Sequence, residues 1–130
     1  MKLEIKISDN LEAVNSQFMA MFTLLKLEFY RKDSKFLKEN MLNHNTLISE
    51  INPNFKGFEF EMNVYQSVNE FEADLEDKLG FPVQIFRKSG KLWLQTIATD
   101  SWSLFEQQEE ALESQRAIET EEIGDYHEQE

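Results

Sequence analysis

The sequence predicts an α+β domain of ferredoxin-like type, a βαββαβ internal duplication with an added C-terminal hairpin strand and a C-terminal helix. Three observations carry that prediction. Leu3, Ile5 and Ile7 alternate with Lys2, Glu4 and Lys6, and Phe58, Phe60, Met62 and Val64 alternate with Glu59, Glu61 and Asn63, the period of half-buried strands. Each strand precedes an apolar stripe at helical spacing, Leu11, Val14, Phe18, Met21, Phe22 and Leu25 in one half, Val68, Phe71, Leu75 and Leu79 in the other. Each stripe then leads into a second strand that ends on a basic pair, Phe29-Tyr30-Arg31-Lys32 and Ile85-Phe86-Arg87-Lys88. The two halves match at offsets of 55, 57 and 56 residues for first strand, helix and second strand. A ubiquitin-like or other α+β sheet is the alternative, because element order alone does not fix strand pairing.

The elements follow in order. Asp9 and Glu12 have the spacing of a capping box, which would satisfy free N–H groups at a helix start, and Ser67 with Glu70 repeats it. Leu25, Leu27 and Phe29 return to period 2 and form the second strand. Residues 33–56 are too long for a bare loop in a compact domain, and within them 46–51 reads as a short helix stopped by Asn52-Pro53. Gly80 suits a left-handed helix cap, with Pro82 blocking continuation. Val83 to Phe86 forms a strand closed by a turn at Arg87-Lys88-Ser89-Gly90, and 91–97 forms the added strand. Ser103 and Glu106 make a third capping box, opening a helix over 104–118 with a thin stripe of Leu104, Ala111, Leu112 and Ile118. These elements make one domain over 1–103, with repeats 1–32 and 57–88, followed by that helix and an acidic disordered tail over 119–130.

Composition narrows the function classes. The chain has 130 residues, 41% of them hydrophobic, and no Cys, which excludes disulfides, thiol chemistry and Cys-based zinc sites. The net charge of −12 is unevenly spread: residues 106–130 hold ten acidic side chains and one Arg, a net of −9, against −3 for the body. An acidic tail repels phosphate backbones, so nucleic acid is not the expected partner. The first residues contain no apolar run of signal-peptide type and no stretch reaches membrane-spanning length, so the expected location is cytoplasmic, with no membrane partner.

The run Gly80 to Glu106, with V-Q-I-F-R-K-S-G-K-L-W-L followed by A-T-D-S-W-S-L, resembles a family of small uncharacterised bacterial proteins. The resemblance implies a domain and carries no activity, cofactor or catalytic residue with it.

No residue set offers catalytic chemistry. His44 and His127 are the only histidines, and both read as solvated or turn residues. Glu59 and Glu61 read as a solvated strand face, and Glu109, Glu110 and Glu113 as at most a weak divalent-cation contact. The candidate interaction surface is Trp93, Trp102, Arg31, Lys32, Arg87 and Lys88. The basic pairs read first as charges that guard strand ends, and second as a contact for an acidic peptide such as the chain's own tail. Trp93 either faces outward, as an interface anchor opposite a core face of Leu92 and Leu94, or packs with Trp102 beneath the folded-back helix. The functional expectation is a small interaction module without catalytic activity or cofactor, engaging a protein partner or a second copy. A ligand-binding or enzymatic pocket between the sheet and residues 36–52 is the alternative.

Overall fold

The computed structural model describes residues 1–128 and, in the last helix, side chains as far as Ala117. The fold is α+β, with strands β1 (Lys2–Ile5), β2 (Leu25–Phe29), β3 (Phe58–Glu61), β4 (Val83–Ser89) and β5 (Leu92–Gln95). The helices are α1 (Leu11–Met21), α2 (Ile48–Ile51), α3 (Val68–Leu79) and α4 (Leu104–Glu128). Helix α4 takes in residues 119–128 of the stretch read as an acidic tail; Gln129 and Glu130 lie outside the described residues.

The strands form two antiparallel sheets, β1–β3 and β2–β4–β5. The β1–β3 pair sets Leu3 opposite Phe60 and Ile5 opposite Phe58. Strands β2 and β4, which a single four-stranded sheet would place at opposite edges, pair with each other instead, Leu27 opposite Ile85. The physical reason lies in side chains that occupy backbone positions where another strand would add. Asn15 Oδ1 on α1 accepts from Leu27 N–H (2.8 Å), and Glu72 Oε2 on α3 accepts from Ile85 N–H (2.7 Å).

The core lies where α1 and α3 meet the strands. Phe18 of α1 stands 5.4 Å from Phe71 of α3, whose other side meets Phe60 of β3 at 5.7 Å, ring centre to ring centre. The apolar stripes of α1 and α3 therefore meet at this contact.

Helix ends follow local chemistry. The cap of α1 is Asn10, whose Oδ1 accepts from Ala13 N–H (3.0 Å), rather than the expected Asp9. Asp9 is taken up by Lys6 N–H (2.8 Å), which tightens the turn before the helix. Helix α3 ends on Gly80 at φ +92°, the left-handed cap that the glycine suggested. At α4 the capping box closes from both sides: Ser103 Oγ accepts from Glu106 N–H, and Glu106 Oε1 from Ser103 N–H.

The four helix entries are joined in pairs by backbone. Leu11 N–H donates to Thr46 O, Glu12 N–H to His44 O and Ile48 N–H to Asp9 O, which ties the starts of α1 and α2. Val68 N–H donates to Trp102 O, Asn69 N–H to Asp100 O and Leu104 N–H to Gln66 O, which ties α3 to α4 in the same way. Residues 33–46 also echo the β4–β5 hairpin: a positive φ at Asp33 (58°) and a single antiparallel bridge, Tyr30 to Met41, stand where Gly90 (62°) and β5 stand in the second half. The added strand thus has a reduced counterpart in the first half. In the true hairpin, Arg87, Lys88 and Ser89 belong to β4, and the turn is only Gly90-Lys91, since Ser89 pairs with Leu92. A two-residue turn needs positive φ, which Gly90 supplies, so the ladder runs further than the charged residues suggested.

Candidate functional site

Strand alternation gives the β2–β4–β5 sheet two unlike faces. Lys26, Glu28, Tyr30, Gln84, Phe86, Lys88, Trp93 and Gln95 share the face turned away from the core. Part of it is sealed. The Phe36 ring packs 5.0 Å from the Tyr30 ring, and Gln84 Oε1 accepts from Tyr30 Oη (3.0 Å) and from Gln95 Nε2 (3.1 Å). Burial holds the Tyr30 phenol up at about 12. Phe36 thereby covers the Tyr30 end of this face.

Trp93 lies at the open end of this face. Its ring sits between two ammonium groups, Lys26 Nζ at 5.1 Å and Lys88 Nζ at 5.0 Å from the centroid. Arg87 points to the opposite face. Its guanidinium stacks 5.5 Å over Trp102, and its Nη1 donates to Gln107 Oε1 of α4 (2.7 Å). Gln107 in turn donates from Nε2 to Thr99 O (2.8 Å), which fixes its carbonyl oxygen as the acceptor for Arg87. Helix α4 does fold back, but on the Arg87 face; Trp93 and Trp102 stand on opposite sides of the sheet.

The six candidate residues therefore fall in three places. Trp93 and Lys88 form one, and Arg87 and Trp102 a second. Arg31 and Lys32 form the third, both exposed, with Arg31 Nη2 donating to Glu39 O (2.9 Å). Lys32 also borders an open depression of about 490 Å³ against Glu76, Asp77 and Phe81.

The hairpin edge differs from the other sheet edges. A side chain and loop backbone cover the outer rim of β2: Asn15 takes Leu27 N–H, and Leu42 N–H donates to Phe29 O (2.8 Å). Gln17 bonds both Glu4 N–H and Glu4 O on β1, at 2.9 Å each. Strand β3 carries the exposed carboxylates of Glu59 and Glu61, charges that discourage pairing. Strand β5 ends its sheet, and among the described residues no strand is hydrogen-bonded to its outer side. It presents Leu92 (66% exposed) and Leu94 (40%) beside exposed Ile97. The alternative in which the Leu92–Leu94 face is core is thus corrected by their exposure. Leu94 lies opposite Arg87, where α4 presents Gln107 rather than an apolar side chain, so the core stops at Ile85 and Thr96.

Two titratable groups gained roles that sequence reading missed. His44 bridges two carboxylates, Nε2 to Glu28 Oε1 (2.7 Å) and Nδ1 to Glu12 Oε2 (3.2 Å). Only an imidazolium donates from both nitrogens. The hydrogen bond to Glu28 raises the His44 pKa despite burial. Burial would raise Glu28, but the bonds from His44 and from Lys26 (2.9 Å) outweigh it and lower the carboxyl. No short-range signal marks this cluster, since Glu12, Glu28 and His44 lie in three elements.

The consequence is measurable. A raised His44 pKa means stability that is fully present below about 6.5, the free-histidine value, and is lost as pH rises through the folded pKa. His44→Ala should therefore cost about 1 kcal/mol near pH 6 and less at pH 9, read from urea melts of both proteins. An equal cost at both pH values would show that His44 acts by packing alone.

Among the described residues no group of three or more His, Asp or Glu side chains is placed to hold a metal ion, and no helix is long and apolar enough to cross a membrane. No family model, curated protein or solved structure matches this chain.

Proposed function

We propose that this chain is a cytoplasmic protein-interaction module without catalytic activity, which takes an extended segment of a partner onto the outer edge of β5. The observation that carries this reading is the contrast between edges: β1 and β2 are covered by side chains or loop backbone and β3 is guarded by glutamates, whereas β5 presents Leu92 and Leu94 beside an open backbone rim. An added strand gains main-chain hydrogen bonds along such a rim, and alternate side chains select the partner. On this reading Trp93, held between Lys26 and Lys88, anchors one side of the added strand, and Leu94 with Ile97 the other.

The accompanying fold proposal is a tandem duplication of a β-α-β-α unit. Support comes from the three backbone bonds that recur between α1 and α2 and between α3 and α4, and from the reduced hairpin after β2.

The test is amide hydrogen exchange on the full chain bound to a co-purifying partner, compared with Leu92→Lys/Leu94→Lys. Binding should slow exchange at residues 92–95, and the double variant should lose the partner at least tenfold, about 1.4 kcal/mol. Unchanged exchange there, or a partner retained by the double variant, would remove the proposal.

A further inference from the structure

A second surface of the chain is independent of the β5 edge. At the start of α4 a groove of about 280 Å³ runs between Trp102 and Phe105, with Glu106, Glu109, Glu110 and Glu113 around it. Phe105 is exposed and carries the Tyr65 ring against it, 5.8 Å between centroids. Two of the carboxylates are engaged within the helix: Glu106 accepts from Ser103 N–H, and Glu113 pairs with Arg116 at 2.6 Å. Glu109 and Glu110 are exposed and make no ion pair among the described residues.

The complementary surface is on the same chain. Residues 31–38 hold Arg31, Lys32, Lys35 and Lys38 against one Asp, and between the lysines they expose Phe36 and Leu37. Lys32, Lys35 and Lys38 have no carboxylate within ion-pair distance among the described residues. The two surfaces match in kind: one offers carboxylates around aromatic rings, the other ammonium groups around apolar side chains.

They do not meet within one molecule. Residues 31–38 follow β2 and lie on the Tyr30–Gln84 face, where Gln95 Nε2 donates to Phe36 O (3.3 Å), whereas α4 lies on the Arg87 face. The sheet stands between them. We propose that segment 31–38 of one copy docks into the aromatic, acidic groove at the start of α4 of a second copy. Such a contact is head-to-tail, because the two surfaces differ, so it builds rings or open chains rather than a two-fold dimer. At about 0.15 M salt the screening length is near 8 Å, so the net charge of the whole chain acts weakly while the local contact is preserved.

The test uses the full chain and two charge-reversed variants, Lys35→Glu/Lys38→Glu and Glu109→Lys/Glu110→Lys, in sedimentation from micromolar to millimolar concentration. The wild-type mass should rise with concentration at about 0.15 M salt and fall back to the monomer at about 0.5 M. Each variant alone should stay monomeric. Mixed in equal amounts, the two should associate again, since the groove of one meets the basic segment of the other and the two reversed surfaces are complementary as well. A wild-type chain that remains monomeric, or a mixture that does not pair, would overturn the proposal. Association that survives in both variants would overturn it too and would place the contact at another surface such as the β5 edge.

Discussion

Replacing Glu72 by Gln should stabilise the protein at pH 8 by about 2–3 kcal/mol and leave it nearly unchanged at pH 4.5. Glu72 is largely buried on α3, where desolvation pushes its carboxyl up to about 7. The Ile85 N–H bond works against that shift, and the charges of Asp100 and Glu76 add to it. A carboxyl whose folded pKa lies above its unfolded value of 4.5 contributes stability that is complete below 4.5 and lost as pH rises through about 7. Above that, the folded state holds a buried charge with only a backbone donor. Glutamine keeps a carbonyl for Ile85 N–H and removes the charge, as Asn15 already does for Leu27 N–H in the first half. Chemical denaturation of both proteins across pH 4.5 to 8 reads the difference directly. A variant less stable at pH 8, or a gap that does not change with pH, would show that the Glu72 carboxylate is paired by a group other than Ile85.

Phe71→Ala should cost about 3–5 kcal/mol, a large share of what a domain of this size possesses. Phe71 is fully buried, and its ring touches Phe18 of α1 on one side and Phe60 of β3 on the other. Truncation would leave a cavity where the two halves of the chain meet, bordered by rings that cannot collapse without moving their backbones. Phe105→Ala is the control: the same residue type, exposed on α4, should change stability by less than about 0.5 kcal/mol. Urea denaturation that put the two variants within about 1 kcal/mol of each other would mean that the Phe18–Phe71–Phe60 contact is not the centre of the core.

The Glu72 experiment also bears on function. Glu72 and Asn15 hold outward-facing N–H groups of β4 and β2, which leaves β5 as the sheet edge where a leucine-bearing rim is open. A module that binds through one edge needs its other edges covered, because an unguarded rim pairs indiscriminately.

By itself the sequence determined the elements. Period 2 at Leu3-Ile5 and Phe58-Phe60, the helical stripes through Phe18 and Leu75, Gly80 as a left-handed cap and the Ser103–Glu106 box are local features, and local features depend on residues within one or two turns. The repetition of pattern and the segregation of charge were legible for the same reason. Tertiary structure alone decided the rest. It paired β2 with β4 in a sheet separate from β1–β3, because helix side chains of Asn15 and Glu72 occupy backbone sites that a strand would otherwise fill. It turned Trp93 and Trp102 to opposite faces, exposed Leu92 and Leu94, and gathered Glu12, Glu28 and His44 from three elements into one bridge. Each of these depends on which segments meet in space, and the period of a strand or helix fixes which face a residue takes without naming what that face will touch.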